Sequence, residues 1–218
     1  AGGILVARSA QEAAAQAEGL LGRRLVTHQT GPEGLPVTAV LLEERIGVRQ
    51  ELYLAMTIDR FHARPMVLAS PRGGVDIEAV AASEPGAMLR EPFDVVDGPA
   101  PPTLLRLSTG LGLTGPQADA CGRIVRAMWT LFSSADASLI EINPLVVTDG
   151  GGLLALDAKV ALDDNALFRH QHLAAWRDER QEHPLELQAS RIGISYVGLG
   201  GTIGCLVNGA GLAMATND

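Results

Sequence analysis

The sequence predicts an α+β fold in which helices pack on one mostly antiparallel sheet. Three observations lead to this prediction. Apolar runs separated by turn signals occupy residues 38–70, two further runs flank a glycine-rich turn within residues 139–159, and a helical stripe covers residues 116–132. Aliphatic residues dominate, since 47% of the chain is hydrophobic but only 4% is aromatic, and the 25 Gly suit a domain with many turns.

The composition also argues against several classes of protein. A net charge of −8 disfavours non-specific nucleic-acid binding. The longest apolar runs are far shorter than the roughly 20 residues of a membrane span, and we expect no signal peptide before the first helix. Cys121 and Cys205 are too few for a disulfide framework, which suggests a reducing compartment.

The first third of the chain is expected to form one helix and four strands. Ser9 and Glu12 have the spacing of a capping box, and Gly22 ends the Ala-rich helix that follows them. The predicted strands cover residues 25–29, 38–44, 51–60 and 65–70.

The third of these strands shows a clear alternation. One face carries apolar side chains, which are those of Leu52, Leu54, Met56 and Ile58. The other face carries Glu51, Tyr53, Thr57 and Asp59.

A glycine turn over residues 71–76 is expected to lead into a short helix. Paired glycines before a helix can present amides to an anion, although they more often supply a positive φ. A Pro-rich surface loop is predicted for residues 91–102 and a short helix for residues 103–109. The next helix begins at Pro116, and its stripe places Cys121 in the core.

Residues 139–159 predict a β-hairpin whose turn is centred on Gly150. Positions equally distant from Gly150 are then opposed, so Asn143 faces Asp157 and Glu141 faces Lys159. Because side chains alternate along a strand, these four polar residues share one face. The apolar residues of the opposite, buried face are Ile140, Ile142, Leu154 and Leu156.

The polar face of this hairpin has the chemistry of a magnesium site. Mg²⁺ prefers oxygen ligands and usually takes one or two from the protein together with substrate phosphates. Asn143 and Asp157 offer two oxygens from opposed strands. The alternative is an ordinary solvated face with a Glu141–Lys159 ion pair, and spacing alone does not decide between them.

Near the end of the chain, residues 203–207 are predicted to form a strand that ends at Asn208. Ligands bind at strand ends in α/β sheets. The glycine run at residues 198–204 lacks the helix and acidic partner of a dinucleotide fingerprint. No metal-ligand spacing is present among the five histidines, which are residues 28, 62, 170, 172 and 183.

Several stretches resemble the β subunit of succinate–CoA ligases, which are ATP-grasp enzymes. The longest are EINPLVV at residues 141–147 and LDAKVALDDNALFR at residues 156–169. Shorter similar stretches occur in the same order at residues 1–3, 21–27, 51–53, 73–78 and 205–214. The similarity covers essentially the whole chain.

This resemblance implies an α+β ATP-grasp domain at residues 1–183, incomplete at its N-terminus. Residues 184–218 would be a linker and the start of an α/β CoA-ligase domain. In the family, a glycine-rich basic stretch that contacts the ATP phosphates precedes the position of Ala1. We therefore expect a fragment that lacks both ends and has no ligase activity by itself.

The resemblance also implies roles for single residues. The residues that would bind the nucleotide, ATP or GTP, are Glu43, Ile46 and Glu51. Those that would hold Mg²⁺ are Asn143 and Asp157. Glu141 would orient an incoming histidine during phosphoryl transfer, and Asn208 would lie near the substrate carboxylate.

The complete enzyme implied by the resemblance joins succinate and coenzyme A at the expense of a nucleoside triphosphate. Its partner is an α subunit that carries the phosphohistidine and the CoA site, with no nucleic acid or membrane involved. Its location would be a bacterial cytoplasm, or the mitochondrial matrix in a eukaryote. Malate–CoA ligase and ATP-citrate lyase are related alternatives, and an inert structural or binding module is another.

Overall fold

The computed structural model describes residues 3–27, 30, 32–199 and 201–217. Its internal contacts divide the chain into two compact units. The central unit is Glu43–Trp176, and the terminal unit combines Ala1–Leu42 with Arg177–Asp218. The division into domains at residues 183 and 184 stays a prediction.

The elements follow one another along the chain in runs of strands and runs of helices. The strands are β1 (Arg24–Leu25), β2 (Leu35–Pro36), β3 (Val48–Asp59), β4 (Arg64–Ser70), β5 (Leu89–Pro92), β6 (Ala137–Thr148), β7 (Leu153–Ala155) and β8 (Ala158–Leu162). The α-helices are α1 (Ala10–Leu20), α2 (Ile77–Ser83), α3 (Pro101–Gly110), α4 (Pro116–Ser134), α5 (Gln171–Ala174), α6 (Pro184–Arg191) and α7 (Ala210–Asn217). Short 3₁₀ turns cover Pro85–Ala87, Asp164–Arg169 and Glu179–Gln181.

The central unit is built on a six-stranded antiparallel sheet. Its strand order is β5–β4–β3–β6, and β7 and β8 pair with successive parts of β6. The pairings are all antiparallel, as the sequence predicts. The two longest strands, β3 and β6, therefore lie side by side in the middle of the sheet.

Helices α3 and α4 cover one face of this sheet. The buried side chains of α4 are spaced as predicted: Cys121, Val125, Met128 and Phe132. They pack with Leu107 of α3 and with the apolar face of β3, in which Leu52, Leu54 and Met56 are fully buried. Burial raises the pKa of the Cys121 thiol to about 11, so this cysteine is a core thiol, as predicted.

Helix α2 covers part of the opposite face. Its N-terminus is capped by Asp76, whose carboxylate accepts a hydrogen bond from the Ala79 amide at 3.1 Å. Ile77 packs against Tyr53 and Ala55 of β3. Tyr53, on the face opposite the apolar side chains, is only 4% exposed, because β3 is buried on both faces at this point.

A bulge in β6 changes which residues face the core. Leu54 pairs with Ile142 but Leu52 pairs with Leu145, so β6 has one residue more than β3 over this stretch. Ile142 faces the core before the bulge and Leu145 after it. The predicted burial of Leu154 and Leu156 is wrong for this reason; each is 38% exposed, and Leu153 packs on the core instead.

Other predicted elements also differ from the structure. Residues 38–44 form no strand, and Leu41 and Leu42 in that stretch are 82% and 67% exposed, so they have no core to join. The predicted loop at residues 91–102 begins within strand β5. Ile58, on the apolar face of β3, is 47% exposed near the end of the strand.

The terminal unit contains α1, a two-strand sheet, α6 and α7. The Ser9 hydroxyl accepts a hydrogen bond from the Glu12 amide at 3.1 Å, as the capping box predicts. Strand β1 pairs with β2 but ends at Leu25, and residues 28 and 29 of the predicted strand lie outside the described residues. Residues 203–207 form no strand; Ile203 and Leu206 are 90% and 91% exposed, so no neighbour covers them.

In the part of the chain that the structure describes, no helix combines the length and apolar character that crossing a membrane requires.

Candidate functional site

The hairpin register places the two candidate metal ligands opposite each other. Glu141 pairs with Lys159 and Leu145 pairs with Ala155, as the predicted turn centre requires. Between these pairs, the backbone amide of Asn143 donates a hydrogen bond to the backbone carbonyl of Asp157 at 3.3 Å. Asn143 is half-buried at the bulge of β6, and Asp157 is exposed between β7 and β8. The two opposed residues are those predicted to hold Mg²⁺.

The glycine turn before α2 holds the side chain of Asn143. The Asn143 Oδ1 atom accepts a hydrogen bond from the Gly74 amide at 2.7 Å. Its Nδ2 atom donates to the Val75 carbonyl at 3.2 Å. Because both ends of the side-chain amide have partners, the network defines which end is oxygen and fixes its direction.

The same turn lies against Glu51 of β3. The Gly73 amide donates to the Glu51 carbonyl at 3.0 Å. A Cβ atom at Gly74 would lie 2.2 Å from Glu51 Oε2, so the carboxylate rests directly on the Gly74 backbone. The amides of both glycines therefore have partners within the protein. Gly74, at φ 67°, supplies the positive φ that was the alternative to an anion-binding role.

Glu141 lies on the same side of the sheet as Tyr53. It is half-buried on β6 and pairs with Ala55, whose neighbour in the packed cluster is Tyr53. Burial, and then the negative charges of Glu141 and Glu78, raise the pKa of Tyr53 to about 12.

The ion pair that was the alternative explanation for Glu141 is not formed. Lys159 is opposed to Glu141 in register, but this pair is not among the salt bridges that the described residues make. The carboxylate of Glu141 is therefore not neutralised by its cross-strand neighbour.

The remaining predicted nucleotide residues precede β3. Glu43 is exposed and Ile46 is half-buried in an irregular segment. This segment is anchored at Gly47, whose carbonyl accepts a hydrogen bond from the Asp149 amide in the hairpin turn at 3.0 Å. The anchor places the end of the segment beside the turn that joins β6 to β7.

Asn208, the predicted substrate residue, belongs to the terminal unit. It is exposed and lies two residues before α7, not at the end of a strand. The six other predicted site residues belong to the central unit: Glu43, Ile46, Glu51, Glu141, Asn143 and Asp157.

Two features of this site could not be predicted from the sequence. The alternation in β3 places Tyr53 opposite the apolar side chains but carries no sign that α2 will cover that face. The paired glycines are visible in the sequence, but nothing connects them with Asn143, which lies 69 residues later in the chain. No local signal links positions so far apart.

The oxygen donors fit a magnesium ion that is shared with a phosphate. Within the described ranges, no cluster of three or more His, Cys, Asp or Glu side chains could hold a metal unaided. Mg²⁺ does not need one, because it normally keeps waters and phosphate oxygens beside one or two protein ligands. The Asp157 carboxylate is exposed, and Asn143 Oδ1 retains a second lone pair beside its bond to Gly74.

Comparison with known proteins identifies the family. Residues 1–147 match the model of the ATP-grasp domain family. The chain is 52% identical over 217 residues to the ADP-forming succinate–CoA ligase subunit beta of Anaeromyxobacter sp. (strain K), covering 100% of this chain and 56% of that protein. It is 48% identical over 218 residues to the protein of the same name from Jannaschia sp. (strain CCS1), covering 100% of this chain and 55% of that protein.

The fold is also similar to that of a solved structure. It is that of ATP citrate lyase from Methanothrix soehngenii in complex with citrate and coenzyme A, with a TM-score of 0.54 and 19% sequence identity. The match covers 84% of this chain and 41% of the lyase chain. At that identity the likeness concerns the fold alone. The chain spans about half the length of the curated relatives it matches. With a family model that covers more than half of its residues, and with the antiparallel sheet described above, the chain belongs to the ATP-grasp domain family and is a homologue of succinate–CoA ligase β subunits.

Proposed function

We propose that this chain provides the nucleotide and Mg²⁺ site of a succinate–CoA ligase β subunit. One observation carries the proposal: the turn at residues 73–75 contacts Glu51 and Asn143 at once, and Asn143 is opposed to Asp157. Candidate nucleotide and metal residues from separate strands thus meet in one place. The relatives of that name, similar over the whole chain, support the assignment.

Asn143 and Asp157 would hold the metal ion. When bound, Mg²⁺ supplies positive charge that neutralises phosphate oxygens during phosphoryl transfer. Asn143 brings a neutral amide oxygen whose direction is fixed by the turn, and Asp157 brings the negative charge. Removing Asp157 therefore costs more electrostatic attraction for the cation than removing Asn143.

Three residues would recognise the nucleotide. The Glu51 carboxylate can accept hydrogen bonds from ribose hydroxyls, and Glu43 can accept from a ribose hydroxyl or a purine amino group. Ile46 can contribute apolar contact or its backbone. The similar proteins are named ADP-forming, which favours ATP over GTP as the substrate here.

Glu141 would act on the histidine that receives the phosphoryl group. Its carboxylate is half-buried and has no ion pair with Lys159, so it can accept a hydrogen bond from an imidazole N–H and favour the positively charged ring. That histidine would belong to an α subunit, which also carries the CoA site. A carboxylate at this place orients the ring and adds no covalent step.

The acid substrate would be succinate. The side-chain amide of Asn208 is exposed and can donate a hydrogen bond to a carboxylate. The likeness to ATP citrate lyase extends only to the fold, so it does not favour citrate. We propose a cytoplasmic location by analogy with the bacterial relatives, and no nucleic acid or membrane partner.

The test uses the complete polypeptide that contains these residues together with its α subunit. Thioester formation from CoA is measured with ATP, Mg²⁺ and succinate, malate or citrate in turn. We expect turnover with succinate and a phosphorylated histidine on the α subunit, and loss of that phosphorylation in Glu141→Gln. Turnover with malate or citrate but not succinate would contradict the assigned substrate. If the protein shows no Mg-dependent nucleotide binding, the chain serves as a structural module instead.

A further inference from the structure

The turn at residues 73–75, called here the glycine turn, lies between two strands that carry different parts of the candidate site. It follows β4 and leads into α2. Its backbone contacts β3 at Glu51 and the bulge of β6 at Asn143. A backbone segment of three residues therefore links a candidate nucleotide residue to a candidate metal residue.

The contact with β3 differs between the two glycines. A Cβ atom at Gly73 would lie 2.1 Å from the Leu52 carbonyl oxygen, which belongs to the strand backbone, so glycine is required there for the turn to approach the strand. A Cβ atom at Gly74 would lie 2.2 Å from Glu51 Oε2, at the end of an exposed and flexible side chain. A side chain at position 74 would therefore push the Glu51 carboxylate away from its place against the turn.

The contact with β6 is directional. The Gly74 amide and the Val75 carbonyl contact opposite ends of the Asn143 side-chain amide, at 2.7 and 3.2 Å. A rotation of that amide would break both bonds. The direction of the remaining lone pair on Oδ1 is thus set by the turn, not by the side chain's own preferences.

From these contacts we propose that the glycine turn is a positioning element that couples the two ligands: it holds Asn143 for the metal ion and Glu51 for the nucleotide in one geometry. The proposal rests on the proposed function. Movement of Gly74 displaces both side chains, so a change at the turn alters the affinity for both ligands. Because coupling between two binding sites is reciprocal, each ligand then also favours the other through the protein.

Gly74→Ala is the decisive variant, because glycine offers no side chain to either ligand. Gly112→Ala is its matched control. Gly112 has φ 72°, close to the 67° of Gly74, and its Cβ would meet nothing within 4 Å. The two substitutions therefore impose similar backbone strain, but only Gly74→Ala brings a Cβ atom against the Glu51 carboxylate, at the residue whose amide holds Asn143.

Two affinities are measured in the complete polypeptide, neither of which depends on turnover. ADP binding is followed by calorimetry in the presence of EDTA, and Mn²⁺ binding by electron paramagnetic resonance at saturating ADP. We expect Gly74→Ala to weaken both affinities by about 5-fold or more, and Gly112→Ala to leave both unchanged. A Gly74→Ala protein that changes only one affinity, or neither, overturns the coupling.

A rescue variant tests the stated contact. Glu51→Asp withdraws the carboxylate by one methylene, so in the Gly74→Ala background it relieves the contact between the new Cβ and the carboxylate. We expect Mn²⁺ affinity to recover in part in the double variant, although Glu51→Asp alone does not raise it. Absence of recovery would show that the Gly74–Glu51 contact does not carry the effect.

If Gly74→Ala does not fold, crossed measurements keep the proposal testable. Asn143→Ala should weaken ADP binding in EDTA, where no metal is present, and Glu51→Ala should weaken Mn²⁺ binding at saturating ADP. If the ADP affinity of Asn143→Ala and the Mn²⁺ affinity of Glu51→Ala both equal those of wild type, the coupling is overturned while the proposed function stands. A wild-type protein that binds no Mg-nucleotide overturns both proposals.

Discussion

At the scale of single residues, Asp157 is the carboxylate on which the proposed metal site most depends. It is exposed in the gap between β7 and β8, so removing its side chain takes no volume from the core. We predict that Asp157→Ala lowers Mg-dependent turnover of the complete enzyme by about 100-fold or more, as expected for loss of one group that stabilises charge in the transition state. The stability of the protein should change by no more than about 0.5 kcal/mol.

The control for this prediction is Asp164→Ala. Asp164 is also an exposed acid, seven positions further along the chain, at the start of a 3₁₀ turn. It has the same charge and similar exposure but no place in the proposed site. Turnover is measured against Mg²⁺ concentration in both variants. Equal turnover of Asp157→Ala and wild type at limiting Mg²⁺ would mean that the metal binds elsewhere.

Tyr53 gives a prediction about pH. Its pKa is raised from 10.0 to about 12 by burial and by the charges of Glu141 and Glu78. The unfolded chain therefore loses the phenol proton first, and the stability associated with the neutral phenol is fully present below pH 10. That stability is lost as the pH rises from 10 to about 12.

The measurement compares urea unfolding midpoints at pH 8 and pH 10.5. We expect wild type to lose more stability between these pH values than Tyr53→Phe, which has no ionisable phenol. Tyr196→Phe is the matched control, since Tyr196 is 43% exposed in the terminal unit. An identical loss of stability in wild type and Tyr53→Phe would show that the phenol has the same pKa in the folded and the unfolded protein.

Individual site residues could be predicted where a local pattern defined them. Asn143 and Asp157 followed from the position of one glycine-rich turn, and the observed register agrees with that prediction. Their roles as metal ligands rest on the proposal above. The partner of Asn143 could not be predicted, because Gly74 reaches it only through tertiary packing.

At the scale of elements, the strands and helices that bury a continuous apolar face were predictable. Helix α4 and strand β3 have the expected positions, because their side chains alternate with the period of a helix or a strand and pack on each other. The segments at residues 38–44 and 203–207 have similar apolar composition but no neighbouring element that covers them. Composition alone does not supply the partner that a strand requires.

The bulge in β6 explains the remaining error within an element. One additional residue between Ile142 and Leu145 exchanges the faces of all later residues in the strand. Strict alternation from Ile140 to Leu156 predicts that Leu154 and Leu156 lie in the core, and the bulge is what makes that prediction wrong. The opposed pairs were unaffected, since β7 and β8 are interrupted opposite the bulge.

Helix α3 offers a matched pair of leucines with which to test the core. Leu107 is fully buried between the helices and the sheet, whereas Leu105, on the same helix, is 66% exposed. We predict that Leu107→Ala lowers the free energy of unfolding by about 2–5 kcal/mol, because it leaves a cavity. Leu105→Ala should lower it by about 0.5 kcal/mol or less. Equal losses in urea unfolding would show that α3 does not pack on the sheet as described.

At the scale of the whole molecule, the core belongs to one unit. Among the described residues, every buried hydrophobic side chain lies between Leu52 and Ala166, and thus inside the central unit. Helices α1 and α6 of the terminal unit bury no residue. Since burial of apolar surface is the main favourable contribution to folding, the stability of the 218-residue chain should come almost entirely from the central unit.

This distribution predicts that residues 43–176 fold without the rest of the chain. The isolated central unit retains the six-stranded sheet and the helices α2, α3 and α4 that cover it. We expect one cooperative urea transition with a midpoint close to that of the 218-residue chain, followed by far-UV circular dichroism. Leu107→Ala should lower that midpoint equally in both proteins, because its contacts lie within the unit. A non-cooperative transition, or a much lower midpoint, would mean that the terminal unit contributes to the stability of this core through contacts other than apolar burial.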